Sequence, residues 1–144
     1  ELDAIVYKHI AVTIDFSNND TDCLRHAIMQ GGKQADYTLI HVVETAGARY
    51  YGGQVMDSET QSDADNLDKY LLALKNLGYK ARPQIGYGSP ATAIADIVKK
   101  KHVDFIVMGS HGHKALKDLI FGTTVNSVRH KVNVPVLVVK PQGK

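Results

Sequence analysis

What most constrains this chain is a recurring pair of patterns: a short apolar run rich in β-branched residues, a polar or glycine break, then residues spaced along one helix face. "HIAVTI" (His9–Ile14) is such a run, closed by "DFSNND" and followed over Asp20–Gln34 by Leu24, Ala27 and Ile28 at helical spacing, with Gly31 and Gly32 near the end. "YTLIHVV" (Tyr37–Val43) repeats the strand signature. After the irregular "ETAGARYYGGQVMDSETQS", helical spacing resumes from Ala64 to Leu77 with Leu67, Leu71, Leu74 and Leu77 on one face, and Gly78 as the stop. "KARPQIGYG" (Lys80–Gly88) alternates weakly and contains Pro83, which cannot donate to a ladder, so it belongs at a sheet edge. Ser89 and Pro90 read as an N-cap and first helical position, opening a helix to Lys101 with Ile94, Ile97 and Val98 inward. "VDFIVMG" and "VPVLVVK" are the most continuous apolar strands, with a last helix over Thr123–Lys131 between them.

Five strands alternating with four helices, the strands mostly solid in apolar residues, predict an α/β fold with a doubly wound parallel sheet covered on both faces. At 144 residues and 44% hydrophobic content the chain fits a single domain over 1–144 that needs no disulfide or metal staple. Ligands of such sheets sit outside the carboxyl ends of the strands, where the winding direction reverses. Asp15 and Gly109 stand directly after strands and are the first candidates.

Composition removes several function classes. A formal charge of +2 with dispersed basic residues leaves no footprint for nucleic acid. The one cysteine, Cys23, cannot form an internal disulfide, as expected of a reducing, cytoplasmic setting, and it reads as buried and inert. No apolar run approaches the roughly 20 residues that cross a bilayer, and no leader pattern precedes the first strand. The chain opens on Glu1 rather than Met, which is compatible with excision from a longer protein.

The chemistry concentrates in "GSHGHKALKDLIFGTT" (Gly109–Thr124). Gly109 and Gly112 follow the fourth strand, and Gly122, Thr123 and Thr124 are expected at the start of the last helix, where free amides, the dipole and hydroxyls suit phosphate. Turn-making and capping would explain the same residues, and periodicity does not choose. No Walker A sequence is present. Gly86-Tyr-Gly88-Ser-Pro-Ala91 matches G-x-G-x-x-A formally but is rejected as a dinucleotide fingerprint. Pro90 removes an amide where the pyrophosphate would dock, and no acidic residue follows about 20 positions on.

Gly109-x-x-Gly112, nine residues, then Gly122-Thr123 resembles the G-2x-G-9x-G-[S/T] signature of the ATP-binding branch of the universal stress protein family. "YKHIAVTIDFS", "LIHVVE" and "VPVLVVK" are similar to that family's first, second and last strands, so the resemblance runs from Tyr7 to Lys140. It implies an adenine nucleotide alpha hydrolase-like fold with sheet order 3-2-1-4-5, and ATP or AMP as ligand, with Mg2+ or Mn2+ arriving on the phosphates. By the same resemblance Asp15 contacts ribose and adenine, the Val42 backbone reads the adenine edge, and Gly109, preceded by Met108, lies by the ribose. Gly112, Gly122, Thr123 and Thr124 wrap the phosphates. The resemblance also implies a homodimer through the last strand, Val134–Lys140.

Two positions depart from the family pattern. Thr13 stands where proline or a small apolar residue is common, and either adds a hydroxyl to the adenine pocket or packs. His113 stands where Lys, Arg or another polar residue is common, so its help with phosphate depends on protonation. His111 joins the candidate binding set, but His111-x-His113 is too sparse a ligand set to predict a protein-held metal. His41 reads as a half-buried, satisfied strand residue, and Lys99–Lys101 as a solvated helix end.

"ETAGARYYGG" and "ETQSD" also look like the version of this domain fused behind Nramp-type manganese and iron transporters, which makes a transporter's cytosolic sensor domain an alternative. The chain has no nucleophile elbow, HExxH or motif-placed carboxylate pair, and no identifiable base for water. Binding is therefore expected over catalysis, with weak ATP hydrolysis as the enzyme alternative.

Overall fold

The protein is described by a computed structural model covering residues 2–44, 58–110 and 118–141. Its elements are β1 His9–Thr13, α1 Asp20–Gly31, β2 Asp36–Val43, α2 Ser58–Asn76, β3 Lys80–Tyr87, α3 Pro90–Lys100, β4 Phe105–Gly109, α4 Asp118–Lys131 and β5 Val136–Val139. All four ladders are parallel and the strand order is β3-β2-β1-β4-β5, the expected doubly wound 3-2-1-4-5 sheet. Pro83 lies on β3, an edge strand, where its missing N–H removes nothing from the inner ladder.

Alternation along the strands divides the interior in two. Ile10, Val12, Leu39 and Val107 face α1 and α2, meeting Cys23, Leu24, Ala27, Leu67 and Leu74. Ala11, Ile40, Ile106 and Met108 face α3 and α4, meeting Ile94, Ile97, Val98, Val128 and Val132. Central strands must be apolar on both faces to fill both cores, which is why they read as solid runs rather than alternating ones. Among the described residues no helix is long and apolar enough to cross a membrane.

The expected leucine stripe holds only in part. Leu67 and Leu74 are buried and Leu71 packs at the core margin, but Leu77 is 60% exposed because the helix ends at Asn76. Ser89 is the N-cap of α3, with Pro90 just inside, yet its side chain makes no capping bond.

The larger difference is at α4, which begins at Asp118 rather than Thr123. One glycine costs a helix only about 1 kcal/mol, so Gly122 does not stop it. Gly122, Thr123 and Thr124 consequently fall within the helix rather than at its start.

Candidate functional site

β1 sits between β2 and β4, so the winding reverses at β1 and β4, and their carboxyl ends frame the crevice. Val12 pairs with Val107, which brings Thr13 level with Met108 one step on. Alternation puts Thr13 on the face of Ala11, shared with Val42 and Met108. Thr13 and Val42 are half-buried there. Met108, only 3% exposed, is a core side chain. Thus Thr13, Val42 and Met108 share one sheet face, while Asp15 and Gly109 lie at the adjacent strand ends.

The corner after β1 is held by side chains from several elements. The half-buried Asp15 accepts the Ser17 amide on Oδ1 (3.0 Å), and its own amide donates to Asp20 Oδ1 (3.2 Å). Asp20, the first residue of α1, is buried, and Tyr70 on α2 donates its hydroxyl to Asp20 Oδ2 (3.1 Å). Burial first, and the Asp15 charge second, push the Asp20 carboxyl from the ordinary carboxylate range up to about 7. Burial, with the Asp20 charge and hydrogen bond, likewise pushes the Tyr70 hydroxyl upward.

One residue earlier, the Ile14 carbonyl accepts from His41 Nδ1 (2.8 Å), and His41 Nε2 meets Asp63 Oδ2 on α2 (2.9 Å). His41 is the satisfied, half-buried residue expected of it. Phe16 adopts φ +62, a conformation costly for a bulky residue, with its ring against His41 (centroids 4.5 Å) and stacked towards Tyr70 (6.4 Å).

The corner after β4 has a different construction. A Cβ on Gly109 would fall 2.7 Å from Asn19 Nδ2 and 3.4 Å from Cys23 Sγ. Asn19 is buried and its Nδ2 donates to the Val139 carbonyl (2.8 Å), which also accepts the Ser110 amide (2.8 Å). Gly109 is therefore required by packing against α1, whatever binds beside it. Asn19 Oδ1 and Ser110 Oγ are buried without a hydrogen-bond partner. Cys23 is buried, and desolvation followed by the charges of Asp20, Asp15 and Asp22 pushes its thiol up to about 12, so it remains an inert thiol.

His111, Gly112 and His113 lie outside the described residues, as do most of the residues of the transporter-like segment. Gly122, Thr123 and Thr124 fall inside α4, where each amide bonds the carbonyl four residues back. In this conformation the second half of the motif presents hydroxyls rather than free amides; Thr123 is exposed and Thr124 half-buried.

The universal stress protein family model matches residues 6–140. The chain belongs to the universal stress protein family. Universal stress protein MJ0577 of Methanocaldococcus jannaschii is 27% identical over 157 residues, covering 95% of this chain and 97% of that protein. The structure of MJ0577 superposes with a TM-score of 0.82 at 29% identity, over 97% of this chain and all of the other. The universal stress protein of Archaeoglobus fulgidus in complex with dAMP has a TM-score of 0.70 at 20% identity, over 94% of this chain and 100% of that one. A universal stress protein in complex with cAMP has a TM-score of 0.63 at 17% identity, over 94% and 98%. The last two establish likeness of fold. None of these relatives is described as a transporter.

Asn19, Asp20 and Tyr70 escaped the sequence reading. Acidic residues in the first turn of a helix read as dipole partners. Their actual partners are 5, 50 and 120 positions away, beyond any local pattern.

Proposed function

We propose that this universal stress protein domain is a regulatory module that binds an adenine nucleotide, ATP or AMP, at the carboxyl ends of β1 and β4. The observation that carries the reading is the convergence of Asp15, Thr13, Val42 and Gly109 on the crevice where the sheet changes direction. A carboxylate suits ribose hydroxyls as an acceptor, and the end of β2, which runs past its last pairing with β1 at Ile40, offers backbone groups to an adenine edge. Gly112, Gly122, Thr123 and Thr124, with His111 and His113 beside them, supply the phosphate end, and Mg2+ or Mn2+ would accompany the phosphates. Because α4 commits the amides of Gly122–Thr124 to the helix, phosphate binding there uses threonine hydroxyls or a rearranged first turn.

Mass spectrometry of ligand released on denaturation, with calorimetry using ATP and AMP, tests the reading. Binding weakened by Asp15→Ala and Gly112→Val supports it; no bound ligand and no heat of binding sink it. Binding without turnover is the favoured mode, since no motif supplies a base for water. Phosphate release with Mg2+, abolished by Gly122→Val, would instead establish a slow ATPase.

We further propose that two copies pair through β5. It is an edge strand whose Val136 and Leu137 are half-buried and whose Val138 is exposed. Light scattering on Val138→Lys, with a monomer as the expected outcome, checks this.

A further inference from the structure

We propose that Asp20 is a positioning residue of the nucleotide site: its buried carboxyl, anchored to α2 through Tyr70, holds the Asp15 amide, so that adenine-nucleotide affinity depends on the protonation of Asp20. It rests on the nucleotide reading above and deepens it.

The geometry has three parts. Asp20 Oδ1 accepts the Asp15 amide, so Asp20 sets the height of Asp15 above the end of β1. Asp20 Oδ2 accepts the Tyr70 hydroxyl, which ties that height to α2. The Asp15 charge also bears on the Asp20 carboxyl, and like charges near one another disfavour double ionisation.

The surroundings sharpen the effect. From the β1–α1 loop the facing group is Asp15, from α2 it is Tyr70, and from α1 it is Cys23, with Asp22 further along. His41 of β2, paired with Asp63 of α2, reaches the same corner through the Phe16 ring. Among the described residues the charge acting on Asp20 is that of Asp15, and it is negative. Burial and that charge hold the Asp20 carboxyl near neutrality, within the range a cell can traverse.

The sign follows. With Asp20 protonated, the Asp15 carboxylate alone accepts from ribose beside the bound phosphates. With Asp20 ionised, a second anion stands beside an anionic ligand, and Asp15 is pushed from its partner. Affinity should fall as pH rises through about 7.

The test is calorimetric affinity for AMP and ATP across pH, for the unsubstituted protein, Asp20→Asn and Tyr70→Phe. The ratio between proteins at each pH cancels proton uptake by the ligand itself. The unsubstituted protein is expected to lose about tenfold from about pH 6 to about pH 8, the effect of one pKa unit of coupling. Asp20→Asn should lack this loss, so the ratio of its affinity to that of the unsubstituted protein should rise about tenfold over the same range. Tyr70→Phe, which removes a donor that favours the ionised form, should move the midpoint to higher pH and serves if Asp20→Asn does not fold. Nucleotide binding with the same pH profile in the unsubstituted protein and Asp20→Asn overturns the inference while leaving the nucleotide reading intact, as does a Tyr70→Phe midpoint that stays or moves down. Absence of adenine-nucleotide binding at every pH overturns both.

Discussion

The two corners of the candidate site are built on opposite plans. After β1, the backbone of residues 14–17 is held from four sides, with His41 on the Ile14 carbonyl, Asp20 on the Asp15 amide, Asp15 on the Ser17 amide and two rings around Phe16. After β4, Gly109 is kept small by the single side chain of Asn19, which spans to the end of β5. The first corner is defined by polar bonds whose strength depends on protonation. The second is defined by absence of a side chain. A substitution in either therefore disturbs the fold as well as any ligand, but with a different dependence on pH.

That difference can be tested, starting with the largest expected effect. Asp20 has its folded pKa raised from 3.8 to about 7. Its contribution to stability is therefore full below about 3.8 and lost as pH rises through about 7. Asp20→Asn should abolish this loss, so between pH 4 and pH 8 the variant gains relative to the unsubstituted protein by up to about 4 kcal/mol in urea denaturation. An unchanged gap would mean the corner is not governed by that proton.

Gly109→Ala should come next, costing about 2 kcal/mol at every pH, because its Cβ would displace a buried, hydrogen-bonded Asn19. A cost that varied with pH would erase the distinction between the corners. His41→Ala leaves the Ile14 carbonyl and Asp63 without their partner and should cost about 1.5 kcal/mol in thermal unfolding. Asn19→Ala should cost about 1 kcal/mol, because one bond is lost while an unpartnered buried oxygen is also removed. Combined with Gly109→Ala, the loss should be smaller than the sum, since one side chain underlies both effects.

The same contrast separates what could be read locally from what could not. The parallel sheet and the edge placement of Pro83 were legible because central parallel strands must be apolar on both faces and a proline cannot join an inner ladder, whereas the strand order came from the family resemblance. The candidacy of Asp15 and Gly109 followed from strand ends alone. The start of α4 was misplaced by five residues because a Gly-Thr pair resembles a helix opening, while the helix tolerates both one turn in. The resemblance put Gly109 beside the ribose, and turn-making explained the glycine equally well. The structure shows Asn19 packed against it, a neighbour 90 positions earlier in the chain.

By itself the sequence determined the α/β class, the family and the crevice, since apolar runs, glycine spacing and strand ends are one-dimensional signals of burial and turning. Only the tertiary structure decided which groups discipline the site: Asn19 over Gly109, and the Asp15–Asp20–Tyr70 chain behind the first strand. The reason is physical. A buried carboxyl acquires its charge state from what surrounds it in space, and those surroundings come from residues that the chain keeps far apart.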